Sequence, residues 1–314
     1  MSCAPVVIPT LNRIAHLERC IESLRKNTLA KKTTLIISVD YPPSYKYEEG
    51  YKKICEYLKK PIEGFADVRV IYQKKNLGAF GKGSNSSYLF EYVSKEWDRI
   101  IFTEDDNEFS SYFLQYINDS LDIFEKDENV KFVCAESILN EYDDDVVKCA
   151  DMSAYGYGTW IKKNEDFNAQ ITRNSLLNIA KDYRFLISLV DGRQNFLFSL
   201  QDCVLKRGLY DGRIGNPPLI DMTYKLYMLY YGFYGIFTTR KYLVRNWGYD
   251  GTGINCTARN IDVRSQILYN HRLEIKSPEH IRTVDKKYMS GRGHFLRACF
   301  VFVRITVWRI FNGT

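Results

Sequence analysis

The chain has 314 residues, 45% of them hydrophobic and 26% charged, which excludes a disordered chain, a collagen-like repeat and a small disulfide scaffold. The length suffices to bury a sizeable core in one large domain or two small ones. Net charge is +6, from 44 basic and 38 acidic residues, which favours anionic company but is too small an excess for a nucleic-acid binder. Aromatic residues are abundant at 15%, and because their faces both stack on sugars or bases and fill cores, the excess has meaning only once it is located.

The opening MSCAPVVIPTLNR has neither the basic start nor the long apolar run of a signal peptide. Eight cysteines and four histidines are scattered without a CxxC pair or zinc-ligand spacing, so the cysteines read as apolar core residues of a reducing cytosol. In chain order, Val6–Ile8 between two prolines marks a first strand over 5–8. Ile14, Leu17, Ile21 and Leu24 then recur at helical spacing. A strand over 34–39 follows, then a helix carrying Tyr51, Ile54, Cys55 and Leu58, a strand over 68–72, a helix over 84–93 and a strand over 99–103. This β-α-β-α-β-α-β order specifies a parallel sheet with helices on both faces. In such sheets ligands sit beyond the carboxyl ends of the strands. Those ends lead into PTLNR (9–13), into Asp40 and into Glu104-Asp105-Asp106. A helix over 112–124, a strand near 131–135, an acidic turn at 143–145 and a Gly-aromatic segment at 154–160 come next. No linker or repeat divides the chain, so one continuous domain with an elaborated second half is expected.

An apolar strand running into three carboxylates concentrates negative charge. Left uncompensated it repels itself, and a divalent cation relieves the repulsion. Oxygen-only ligands favour Mg²⁺ or Mn²⁺ over zinc, with substrate phosphates completing the shell, so the expected ligand is a nucleoside diphosphate. The plain alternative is an acidic turn. Asp40 can accept from a base N–H or a ribose hydroxyl, and Arg13 can stack on a base or meet a phosphate. The glycine-rich segment from Asn76 to Asn85, with Gly78 and Lys82, can wrap an anion with backbone N–H groups. It is neither GxGxxG nor GxxxxGK[ST], which argues against a nicotinamide dinucleotide site and a P-loop.

These segments resemble the nucleotide-sugar-dependent glycosyltransferases of the GT-A fold, family 2-like in PTLNR, Asp40, NLG…GSN and the acidic triplet. A closer resemblance is to N-acetylglucosaminyltransferase I and its bacterial relatives, through EDDNEFSSYFLQY (104–116), GYGTW (156–160), PPLIDMTYKLY (217–227) and VRNWGYDGTG (244–253). The resemblance implies an α/β, GT-A (Rossmann-like) single domain over 1–290 with a mixed, mostly parallel central sheet and helices on both faces. Residues 1–106 would form its nucleotide-binding half and 107–290 its acceptor and catalytic half. It also implies that Asp106 coordinates Mn²⁺ or Mg²⁺, that Asp105 faces the ribose and that Glu104 faces the donor sugar. Arg13 and Asp40 match the uracil-recognising pair, and Asn85 a position near the nucleotide. Pro9, Thr10, Asn76, Gly78 and Lys82 complete the nucleotide-binding set. Asp221 matches the base of these inverting enzymes, and Trp160, with Gly158 and Trp247, the donor and acceptor sugar sites. The expected activity is metal-dependent transfer of a hexose or N-acetylhexosamine from a UDP-sugar to a glycan or lipid-linked acceptor, in surface polysaccharide synthesis.

Read from residues alone, Asp221 can equally be a helix N-cap. Asp202, Asp211 and Asp250 compete with it as base, and Trp247 is as suited to packing as to a sugar. A sugar nucleotidyltransferase would need a glycine-rich phosphate loop directly after the first strand, and PTLNR is not one. A non-catalytic carbohydrate- or membrane-binding protein is opposed by the intact EDD and Asp221. The chain closes on FLRACFVFVRITVWRIF (295–311), apolar except for Arg297, Arg304, Thr306 and Arg309 and short for a spanning helix. It reads as a membrane-associating tail over 291–314, a basic amphipathic helix in a bilayer interface. That would place the protein in the cytoplasm, peripherally on the inner face of the plasma membrane. The alternative is a last helix packed on the protein's own core.

Overall fold

The structure is a computed structural model that describes residues 3–79, 81, 83–137, 142–190, 192–205, 220–253, 262–285 and 292–312. The first half runs β1 (Val6–Thr10), α1 (Ile14–Arg25), β2 (Thr34–Val39), α2 (Glu48–Leu58), β3 (Asp67–Tyr72), α3 (Asn85–Val93) and β4 (Arg99–Phe102). These are the expected elements in the expected order. β5 (Asn107–Phe109), α4 (Phe113–Ile123), β6 (Val130–Ser137), β7 (Val146–Cys149) and β8 (Tyr157–Trp160) follow. Four helices then succeed one another: α5 (Ile161–Gln170), α6 (Arg173–Lys181), α7 (Tyr183–Ser188) and α8 (Gln194–Leu205). After them come α9 (Ile220–Tyr231), β9 (Tyr234–Thr238), β10 (Val244–Asn246), β11 (Thr283–Val284) and α10 (Arg292–Asn312).

Nine strands form one sheet in the order β11-β7-β9-β6-β8-β4-β1-β2-β3, and β5 pairs β10 in a separate two-stranded ladder. Five of the eight pairings in the large sheet are parallel, and β4–β8, β6–β8 and β7–β9 are antiparallel. Strand alternation divides the apolar residues between two cores. Val6, Ile8, Ile37 and Ile101 pack under α1, α2 and α4, while Val7, Ile36, Ile100 and Phe102 pack with α3 and with α5–α10. Helices therefore cover both faces, as a buried parallel sheet requires.

Some elements were not anticipated. The stretch 161–205 is helical although α5 (IKKNEDFNAQ) has little apolar periodicity; Phe167 supplies its buried anchor. The acidic turn at 143–145 is more than a solvated loop, since Arg240, Lys241 and the Thr239 hydroxyl, just after β9, engage Asp143, Asp145 and the Asp144 carbonyl. The C-terminal segment is not a detached tail. Ala298, Val301 and Ile305 of α10 are fully or almost fully buried in the core shared with α6 and α8. Among the described residues no helix is long and apolar enough to cross a membrane.

Gly158 has no room for a side chain, because a Cβ there would meet Ile117 Cγ2 of α4 at 2.5 Å and Leu121 Cδ1 at 3.2 Å. Gly158→Ala is expected to cost about 1–3 kcal/mol through overpacking, read as a lower melting temperature. A second test concerns Lys148 on β7, whose Nζ lies 2.7 Å from Asp127 Oδ2 ahead of β6. Burial pushes the Asp127 pKa up, but the hydrogen bond and charge of Lys148 outweigh it and leave the pKa below the ordinary aspartate value. Stability from the pair is thus complete above the unfolded pKa and lost as pH falls through the lowered folded one. Lys148→Met is expected to cost about 0.5–1 kcal/mol at pH 7, and the difference between the melting curves of variant and wild type should shrink as pH falls through the lowered Asp127 pKa.

Candidate active site

The crevice opens where β1 and β4 part. Val7 of β1 accepts from the Thr103 N–H at 3.1 Å, and Pro9, two residues on, faces the same neighbour without an N–H to give. β4 turns away at that point, leaving its Glu104-Asp105-Asp106 extension beside the end of β1. The strand order also reverses here, since β1 leads to β2 on one side and has β4 on the other, the switch point at which open sheets bind ligands.

Asp105 and Asp106 are both buried. Thr10 Oγ1 donates to Asp105 Oδ2 at 2.7 Å, Arg13 donates to Asp105 Oδ1 and, at 2.8 Å, to Asp106 Oδ2, and Asn246 Nδ2 donates to Asp106 Oδ1 at 2.7 Å. The mutual repulsion expected of the triplet is therefore relieved within the protein, by the Arg13 guanidinium bridging the pair. Burial raises the Asp105 pKa despite Arg13. Burial also works against the Arg13 charge, but the two carboxylates outweigh it and hold its pKa above the ordinary value. Glu104 is partly exposed at the mouth.

The second half of the chain closes over this pair through the β5–β10 ladder. Asn246 lies opposite Asn107, and its Nδ2 also donates to Asn107 Oδ1 at 2.9 Å. Trp247 N–H donates to the Asp106 carbonyl and Gly248 N–H to Asn246 Oδ1, both at 2.8 Å. A Cβ on Gly248 would sit 2.2 Å from Asp106 Oδ2, so only glycine permits this approach. Arg245 makes a two-pronged ion pair with Glu108 at 2.8 and 2.9 Å. The Trp247 indole N–H donates to the same carboxylate at 2.7 Å, while Arg19 of α1 lies 4.2 Å over its ring. Trp247 is thus part of the clamp; the sugar contact expected of it gives way to these partners.

The other sequence candidates divide. Asp40 accepts from the N–H groups of Tyr41, Leu77 and Gly78 at 2.8–2.9 Å and from Asn76 Nδ2 at 3.1 Å, so both its oxygens hold the glycine-rich loop rather than facing outward. Burial raises its pKa even so. Gly78 has φ +75°, which suits glycine. Asn85 is buried, with Oδ1 accepting from Ser38 Oγ and Nδ2 donating to the Ser38 carbonyl at 3.0 Å, so it ties α3 to β2 instead of reaching a ligand. Lys82 lies outside the described residues, as does Asp211. Trp160 pairs with Arg99 at the start of β4, whereas Tyr157 pairs with Phe102 at its end. Trp160 is therefore about 10 Å back along the strand from the carboxyl edge, buried with Lys163 over its ring. Gly158 faces α4, not the crevice. The aromatic segment reaches the site side through Tyr155, whose hydroxyl lies 2.6 Å from that of Tyr249 in the loop after Gly248. Tyr155 lies in the Gly-aromatic segment 154–160 and Tyr249 in the VRNWGYDGTG segment, but nothing in their spacing shows that they meet.

Asp221 is the second residue of α9. α9 ends just before β9, and Tyr234 opening β9 pairs with Val130 opening β6, at the amino edge of the sheet. A 12-residue helix spans about 18 Å. The Asp221 side chain is outside the described residues.

Carboxylate oxygens are a fitting donor set for a hard cation such as Mn²⁺ or Mg²⁺. Among the described residues no group of three His, Cys, Asp or Glu side chains is gathered as an all-protein cage. The arrangement fits an ion held by few protein oxygens, with phosphate and water completing the shell, and it requires Arg13 to release Asp106.

Residues 6–128 match the family described as glycosyl transferase family 2, a stretch that runs from β1 past α4 and includes Arg13, Asp40 and the carboxylate pair. The chain is family 2-like over this stretch, and its mixed, mostly parallel sheet covered by helices has the GT-A arrangement. Solved structures that match include Staphylococcus aureus TarS 1–349 in complex with UDP-GlcNAc, at 16% identity over 52% of this chain and 48% of that one, with a TM-score of 0.35. Another is the mannosyltransferase PcManGT from Pyrobaculum calidifontis in complex with GDP-Man and Mn²⁺, at 10% identity over 72% and 69%, with a TM-score of 0.39. The chain matches about half the length of a second TarS 1–349 structure, 49% at 13% identity. No curated protein matches at a significant level.

Asn246 and Gly248 hold Asp106 without being able to act chemically themselves. Asn246→Ala, which leaves a buried Asp106 oxygen without its donor, and Gly248→Ala, which drives a Cβ into Asp106, are each expected to cost about 1–3 kcal/mol, read as lower melting temperatures.

Proposed function

We propose that the protein is an inverting nucleotide-sugar glycosyltransferase, using a UDP-sugar that carries a hexose or N-acetylhexosamine and a glycan or lipid-linked acceptor. The observation that carries this reading is the buried Asp105–Asp106 pair at the β1–β4 crevice, inside the family 2 stretch and held from both halves of the chain. Asp106 is the residue that would hold Mn²⁺ or Mg²⁺, and Glu104 would face the donor sugar. When bound, the ion supplies Lewis-acid stabilisation of the departing diphosphate. Arg13, displaced from Asp106, offers a planar guanidinium to base or phosphate. Asp105 stays fixed by Thr10 for the ribose, and Asp40 shapes the nucleotide loop through the Leu77 and Gly78 N–H groups. Asp221 takes the proton of the attacking acceptor hydroxyl as general base. One base and no enzyme nucleophile give a single displacement, hence inversion. The turn after β1 sends Arg13 onto the carboxylates and holds no glycine-rich phosphate loop, which disfavours a sugar nucleotidyltransferase.

A donor screen over UDP-, GDP- and dTDP-sugars with and without Mn²⁺, read as hydrolysis and as binding heat, tests the reading. A metal-dependent response to a UDP-sugar is expected, and no response to any nucleotide sugar would sink it. Asp106→Ala should abolish turnover. Asp221→Asn should keep nucleotide binding while lowering transfer by roughly 10²–10⁴, the range of general-base catalysis, and undiminished transfer would assign the base elsewhere.

A further inference from the structure

We propose that the outer face of α10 is a docking surface for an anionic lipid bilayer, with the helix lying along the membrane plane. At about 100° per residue, Ala298, Val301 and Ile305 point one way, into the core. Leu296, Phe300, Val303, Val307, Ile310 and Phe311 are all exposed and centre on the opposite direction. Among the described residues fourteen large apolar side chains are exposed, and seven of them lie on this one helix, which makes a continuous stripe rather than scatter. α7, packed against α10, exposes Tyr183 and Ile187 as well.

The occupant is argued from charge. Arg297 and Arg304 fall on one flank of the stripe, at the boundary between its buried and exposed faces. Their guanidiniums cover the Phe198 and Phe300 rings at 4.7 and 5.9 Å. With the stripe sunk into acyl chains, such flanking arginines stand at the height of lipid phosphates. From Lys286 to Thr314 the sequence has six basic and no acidic residues, which account for the whole net charge of +6 and leave 38 basic against 38 acidic residues in the first 285. A second copy of the chain docked through the same stripe would bring these arginines together with no carboxylate in the segment to meet them. Anionic headgroups satisfy them, each basic residue adding to the attraction.

This inference does not rest on the glycosyl-transfer reading, because vesicle binding is measured without donor or acceptor. The full chain is mixed with phosphatidylglycerol-containing or pure phosphatidylcholine vesicles and sedimented. Binding is expected to the former and to fall with salt. Leu296→Glu with Val303→Glu, both on exposed positions, is expected to remove binding while leaving the melting temperature and nucleotide binding unchanged. Arg297→Gln with Arg304→Gln is expected to weaken binding roughly tenfold or more and to flatten its salt dependence. Vesicle binding that persists in the double glutamate variant overturns the proposal. So does absence of vesicle binding by the wild type, including the case in which size-exclusion chromatography shows a dimer that the glutamates dissolve.

Discussion

A pair of adjacent carboxylates buried at the edge of a sheet is the constraint around which this molecule is arranged. Two like charges a residue apart, both out of water, are costly unless opposite charge and hydrogen bonds reach them. Arg13 supplies the charge, and Thr10 and Asn246 take the remaining oxygens. These partners come from two distant places in the chain. β1 and its turn provide two, and the β5–β10 ladder provides the third. The separation of β1 from β4, made possible by a proline lacking an N–H, gives the pair its opening.

The same arrangement sets a condition on any ligand that would displace Arg13 from the pair. A neutral molecule gains nothing by displacing Arg13. A ligand that brings both positive charge for the aspartates and negative charge for the arginine exchanges one satisfied network for another. A metal–diphosphate unit has that composition.

The first half of the fold was legible because its signals are local. Apolar periodicity switches between strand and helix from Val6 to Phe102, and the carboxylates follow directly on β4. The acidic triplet was visible for the same reason. What was not legible depends on contacts between distant residues. Nothing near Arg13 says that it folds back on Asp105, 92 positions away, or that Asn246 reaches Asp106 across 140. Asp40 after β2 and Asn85 at the start of α3 carry the right chemistry, yet nearby backbone and side-chain groups take up their hydrogen-bonding capacity. Trp160 was misplaced because β8 runs antiparallel to β4, a direction that a β-α-β pattern does not encode. The C-terminal segment was read as either membrane-facing or core-facing. Its helix has a buried apolar face and an exposed one, which a count of apolar residues cannot separate.

The length of the Asn246–Asp106 contact also sets an order of events during synthesis. At about 5–20 residues per second, the ribosome takes roughly 7–28 s to make the stretch that separates the two residues. During that interval the strands up to β4 and their helices are already available to one another, but Asp106 lacks its amide partner and the loop around Gly248. Arg13 is then the one partner present for its carboxylate, and the emerging protein carries its acidic centre neutralised from within. The clamp around Asp106 is completed late, when β10 pairs with the β5 strand made long before it.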